Sequence, residues 1–138
     1  MWGSTGLLAK AISEGVASQG VDVEVYKLGS ANQTEIITSL LDARAVLVGS
    51  PTLNNGLFPT VAGFLTYMKG LKPRNKLGAV FSSKGWSGGA KKEAEAMLTA
   101  TGIEVLPCDL DVTFRPATEE LNRAVAFGQQ VAAQVNKS

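Results

Sequence analysis

Three segments of the chain concentrate residue types that hold small anionic or planar ligands. The first, Trp2-Gly3-Ser4-Thr5-Gly6, heads a helical pattern. Hydroxyls beside the unsatisfied N–H groups of a helix start suit a phosphate, and the helix dipole adds partial positive charge. The same residues serve equally as ordinary N-terminal caps. The second, Ser50-Pro51-Thr52-Leu53-Asn54-Asn55-Gly56, ends in a run that readily takes positive φ, and asparagine amides can pair with the polar edge of a flat heterocycle. A plain turn would have a similar composition, but Leu53, Leu57 and Phe58 are apolar for an exposed loop. The third runs from Ser82 through Ser83, Lys84, Gly85, Trp86, Ser87, Gly88 and Gly89 to Ala90. Its Trp86, a large aromatic among small residues, suits contact with a planar ligand or packing on its own helix.

Composition removes much other chemistry. The 138 residues include 13 basic and 12 acidic side chains, a formal net charge of +1, so no basic field marks the chain for nucleic acid or a membrane surface. Histidine is absent, which takes His-based general bases, Ser-His-Asp hydrolysis and nearly all zinc or di-iron chemistry away from this chain alone. With Cys108 as its one cysteine it forms no internal disulfide and no cysteine-rich metal site. Neither G-x-G-x-x-G nor the P-loop GxxxxGK[ST] occurs, which argues against a dinucleotide and against ATP hydrolysis. No apolar stretch approaches the roughly 18 residues that span a bilayer. The N-terminus shows no secretory pattern, so a reduced cytoplasmic location is expected.

The elements that must position these segments follow from hydrophobic period. Residues 4–19 carry Leu7, Leu8, Ile12 and Val16 at helical spacing, with Gly20 as C-terminal cap. Val21 to Tyr26 alternates strictly and predicts a strand with one apolar face. Asn32 and Glu35 form a capping box for a helix to about Leu41. Ala45-Val46-Leu47-Val48-Gly49 reads as a strand buried on both faces. A helix from Pro59 precedes a second buried strand, Leu77 to Phe81, and a helix over 88–101 closed by Gly102. Ile103 to Leu106 begins a last strand that continues irregularly toward Phe114, and Pro116 and Thr118 open a final helix. Alternating strands and helices of these lengths predict one domain, residues 1–138, with a doubly wound parallel sheet in three α/β/α layers. Ligands of such sheets bind at the carboxyl ends of the strands. A phosphate segment and two ring-holding segments on that edge favour a mononucleotide.

Taken together, Met1 to Thr5, Ser50 to Asn55, Lys69-Gly70-Leu71-Lys72-Pro73-Arg74-Asn75-Lys76 and Gly85 to Ala90 resemble the flavodoxin-like FMN domain of the flavodiiron proteins, or A-type flavoproteins. The resemblance covers essentially the whole chain, and its SPTLNN and GWSGGA segments are specific to that family. It implies a non-covalent FMN whose phosphate sits on Met1, Trp2, Gly3, Ser4 and Thr5. Ser50, Pro51, Thr52, Leu53, Asn54 and Asn55 would flank the isoalloxazine from one side, and Ser83, Lys84, Gly85, Trp86, Ser87 and Gly88 from the other. It also implies an electron-transfer role, with a separate di-iron domain that reduces oxygen or nitric oxide as acceptor. A rubredoxin-like protein or a reductase would be the donor, and a homodimer would be built with the absent domain. No catalytic residue and no metal ligand is assigned to this chain.

Flavodoxin-like sheets begin with a central strand in the order 2-1-3-4-5, and no such strand precedes Trp2. The expectation is therefore an N-terminally truncated or misplaced start, giving a domain that is marginal, exposes unpaired edges, or is completed by a partner. Two rival functions are a degenerate flavodoxin-like interaction module without cofactor and a flavin-dependent NAD(P)H:quinone-type reductase.

Overall fold

A computed structural model describes residues 4–26, 33–53, 56–57, 59–71, 76–84, 90–113 and 116–137. Its elements are α1 (Ser4–Ala17), α2 (Gln33–Asp42), β1 (Ala45–Leu53), β2 (Gly56–Leu57), α3 (Pro59–Leu71), β3 (Leu77–Lys84), α4 (Ala90–Thr101), β4 (Glu104–Val105), β5 (Asp111–Thr113) and α5 (Thr118–Lys137). Local chemistry accounts for their ends. Gly20 and Gly102 take φ of 78° and 94° just past α1 and α4, a left-handed conformation that a Cβ disfavours. The Ile103 N–H reaches back to the Leu98 carbonyl at 3.1 Å, closing α4 in a Schellman pattern. At the start of α5 the Ala117 N–H donates to Glu120 Oε1 at 2.9 Å, half of a capping box. The box expected at Asn32 falls outside the described residues.

β1, β3, β4 and β5 are parallel, and β2 alone turns back antiparallel against the end of β1. Alternation along the strands divides the core into two layers. Ala45, Leu47, Ala79 and Phe81 meet α1 and α5 through Leu8, Ile12, Ala124 and Phe127. Val46, Val48 and Val80 meet α2, α3 and α4 through Ile36, Leu65, Met68 and Leu98. Burying a side chain of this size stabilises by about 1.5–3 kcal/mol. The expected three-layer flavodoxin-like architecture is the one observed.

Glycine sets how closely α1 and α5 approach. A Cβ on Gly15 would lie 2.0 Å from the Val125 carbonyl oxygen, and one on Gly128 would lie 2.1 Å from that of Ile12. Neither obstacle is a flexible side-chain tip, so the two backbones pass at a distance that only hydrogen permits.

Three stretches differ from the expectation. Val21–Tyr26 has no ladder among the described residues, although its sequence alternates. Alternation supplies an apolar face, but a strand also needs a neighbour's backbone. Val21 and Tyr26 pack against opposite layers, while Val23 and Val25 remain 39% and 60% exposed. β1 and β3 each run past the predicted ends, through Leu53 and Lys84, because Ser50 pairs with Ser82 and Pro51 with Ser83. Pairing of β1 with β3 stops at Pro51, which has no N–H to offer. The last strand continues irregularly as expected: β4 pairs with the start of β3 and β5 with its end, and between them the Leu106 N–H still donates to the Gly78 carbonyl and the Ser82 N–H to that of Leu110. The described residues begin at Ser4, the first residue of α1, so the expectation about a strand before Trp2 falls outside them.

Candidate functional site

Parallel pairing brings the carboxyl ends of β1, β3 and β5 to one edge of the sheet, and α1 begins over it. Thr5 lies in the first turn of α1, and its Oγ1 hydrogen-bonds Ser83 Oγ at 2.8 Å, a contact between residues 78 apart in sequence. Gly49 makes the approach feasible. A Cβ there would stand 2.3 Å from the Phe81 ring and 2.8 Å from Thr5 Cγ2, so a side chain at this position would force the Phe81 ring and the Thr5 side chain to move. The N–H groups of the first turn have no acceptor within the helix. No acidic side chain stands in that turn to repel an anion.

Hydroxyls dominate the edge itself. Ser50, Ser82 and Ser83 are fully buried. Ser82 Oγ donates to Asp111 Oδ1 at 2.5 Å across the β3–β5 ladder, where the two residues are register partners. Such short O–H···O contacts are typical of a hydroxyl bound to a carboxylate. Polar residues this deep in an α/β core have a cost unless they are bonded, and here the bonds tie α1 to β3 and β3 to β5.

The expected site residues therefore divide. Ser4 and Thr5 open α1; Ser50, Pro51, Thr52 and Leu53 end β1; Ser83 and Lys84 end β3. All eight lie at the one edge, and the four of β1 belong to the strand rather than to a loop after it. Met1, Trp2, Gly3, Asn54, Asn55, Gly85, Trp86, Ser87 and Gly88 lie outside the described residues. Gly49 and Asp111 were not expected at the site. Gly49 reads in sequence as the tail of an apolar run, and Asp111 as one more acid near the end of an irregular strand.

Other chemistry is sparse. Burial pushes the Cys108 thiol up, only partly offset by a hydrogen bond from the Leu110 backbone, so it is a poor nucleophile. Among the described residues no group of His, Cys, Asp and Glu could hold a metal ion, and no helix is long and apolar enough to cross a membrane.

The sequence profile described as flavodoxin matches residues 1–128. The chain belongs to the flavodoxin family. It is 40% identical over 136 residues to a nitric oxide reductase of Moorella thermoacetica, covering 98% of this chain and 34% of that protein. Its fold superposes on the rubredoxin oxygen:oxidoreductase of Desulfovibrio gigas with a TM-score of 0.94 and 35% identity, over 99% of this chain and 34% of that one. On the flavodiiron protein of Giardia intestinalis the TM-score is 0.93 at 28% identity, again over 99% and 34%. The chain thus spans about a third of the length of the curated relatives it matches. Family membership and flavodiiron relatives support a flavin-binding, electron-transferring flavodoxin-like domain.

Proposed function

We propose that this chain is an FMN-binding electron-transfer domain of the flavodiiron type. The observation that carries the reading is the Thr5–Ser83 bond over Gly49, which fixes the start of α1 on the carboxyl edge of the sheet. Bound FMN supplies one- and two-electron redox chemistry that amino-acid side chains lack. The chain's own residues do the rest. The backbone N–H groups of the α1 first turn, with Ser4, Thr5 and the preceding Met1-Trp2-Gly3, would hold the phosphate. Ser50 to Asn55 and Ser83 to Gly88 would flank the ring, exclude water from it and set its hydrogen bonds. In the longer relatives' setting the acceptor would be a di-iron domain, and the chain, which has no histidine, would contribute the flavin end only.

The test is a titration of the purified chain with FMN, followed by absorbance and flavin fluorescence. Uptake of one FMN per chain, released on denaturation, is the expected result. A chain that takes up no added FMN would sink the reading in favour of a cofactor-free interaction module. Added rubredoxin or NAD(P)H then asks which class of donor reduces the bound flavin, and reduction by neither removes both proposed donors.

A further inference from the structure

Among the described residues β4 and β5 pair only with β3, so together they form one outer edge of the sheet. That edge carries more residues than the strand it pairs with. Gly78 pairs with Val105 and Ser82 with Asp111, so four steps along β3 are matched by six along the edge. An unbroken ladder would set Asp109 opposite Ser82 and bring the Ser82 N–H to the Cys108 carbonyl. That N–H donates instead to the Leu110 carbonyl at 2.8 Å. Pairing is regular as far as the Leu106 N–H, which donates to the Gly78 carbonyl at 2.7 Å, so the surplus lies within 107–109.

An even surplus has a particular consequence. Side chains alternate along a strand, so a single extra residue would turn every later side chain to the opposite layer. Two leave the alternation intact. Cys108, Leu110 and Val112 are all buried in the α1–α5 layer, and Leu106 packs at its margin. The backbone therefore leaves the ladder while the core stays as it would be in a regular strand. What it presents there is unsuited to pairing. Pro107 has no N–H. The Asp109 carbonyl already accepts the Asp111 N–H at 3.1 Å and Arg123 Nη2 at 3.4 Å. The same nitrogen meets Asp109 Oδ2 at 2.7 Å, which pins the surplus residues to α5. With side chains 44% and 83% exposed, the Arg123–Asp109 pair adds little to stability. Its effect is geometric: it holds the Asp109 backbone out of line.

We propose that this pinned bulge closes the outer edge of the sheet to strand addition, and that the partner it excludes is a second copy of this chain. A free edge offers a row of unpaired N–H and C=O groups to any extended strand, and identical copies carry identical edges. An incoming strand needs several such groups in succession at regular spacing. Here the row is cut between Leu106 and Leu110, lacks a donor at Pro107 and carries an exposed carboxylate at Asp109. A two-fold pairing that used the whole edge would centre on the bulge and bring two copies of Asp109 together, which like charge opposes.

The experiment compares wild type, a variant lacking Pro107 and Cys108, and Arg123→Ala. Sedimentation over a concentration series reads self-association, and hydrogen–deuterium exchange reads which amides it covers. Removing Pro107 and Cys108 together keeps the alternation, moves Leu110 into the place of Cys108 and makes the ladder with β3 continuous. That variant is expected to self-associate at about tenfold lower concentration than wild type, roughly what one well-made hydrogen bond contributes. The association should protect the amides of the β4–β5 edge. Arg123→Ala should act in the same direction by about fivefold at most, the limit set by an exposed ion pair. Unchanged association in the deletion variant overturns the proposal, as does association that leaves the β4–β5 amides exchanging freely. Wild type that associates through this same edge overturns it too. Should the deletion variant fail to fold, the double variant Pro107→Val, Arg123→Ala decides by the same two readouts. Lost stability without association in that variant would make the bulge a merely structural feature and overturn the proposal.

Discussion

The α1–α5 layer and the corner formed by Val21–Tyr26 with α2 are held together in opposite ways. In the first, two helices meet backbone to backbone over Gly15 and Gly128, with Leu8, Ile12 and Ala124 sealed between them and the sheet. In the second, a segment with no ladder among the described residues is tied by side-chain hydroxyls. Tyr26 Oη donates to Glu24 Oε2 at 2.5 Å, and Ser39 Oγ donates to the same oxygen at 2.7 Å. The α1 start also belongs to the candidate site, so the rigid layer is the one that positions ligand chemistry. Close packing leaves Thr5 a single place relative to Ser83. Exposed hydrogen bonds at the other corner exchange readily with water and hold nothing comparable in place.

Breaking the rigid layer should have the largest effect. Gly128→Ala forces a methyl into the Ile12 carbonyl and is expected to destabilise the fold by about 3 kcal/mol or more. Denaturant unfolding checks this, and a loss under about 1 kcal/mol would mean the helices separate easily. Thr5→Val should act more gently on stability, by about 1 kcal/mol for one lost hydrogen bond. It should also weaken FMN binding, because the start of α1 is then no longer tied to β3. Wild-type FMN affinity in that variant would show that packing alone positions the helix. At the other corner, Val25→Ser should change stability by less than about 0.5 kcal/mol, since the side chain it replaces is 60% exposed.

The smallest effect is one of pH. Hydrogen bonds from Tyr26 first, and from Ser39 second, hold the Glu24 carboxyl below its usual range. Its contribution is therefore present above the ordinary carboxylate value and is lost as pH falls through the lowered one. Tyr26 is pushed up, chiefly by its bond to Glu24, so its contribution fades only as pH rises through that elevated value. Amide exchange of residues 23–26 should accelerate at either extreme before that of Leu8 or Ile12 does. Simultaneous acceleration would show that the corner and the layer unfold as one unit.

Much of the fold was legible because its causes are local. Helical spacing, Gly20 and Gly102 as caps and Pro59 as a first-turn residue act within a few positions of themselves, so each helix could be read from its own residues. Strand ends were not readable in that way. Ser50 to Leu53 have turn-like composition yet extend β1, since β3 and β2 offer partners in register. Val21 to Tyr26 has strand-like composition yet forms no ladder among the described residues. A strand's length is a property of two chains of hydrogen bonds, and one sequence segment carries only half of that information.

The candidate site shows the same division. Residue chemistry alone offered Ser4 and Thr5 as a phosphate segment or a plain helix cap and expected Ser50, Ser83 and Lys84 on the ligand edge, because helix starts and the ends of parallel strands have that role in such sheets. The flavin entered only with the family resemblance. Which hydroxyl meets which was settled by folding. Thr5 reaches Ser83 across 78 positions, Ser82 reaches Asp111 across 29, and Gly49 makes room for the first of these contacts. Hydrogen bonds and close approaches depend on distances of tenths of an ångström, and those distances arise from the register and packing of elements remote in the chain.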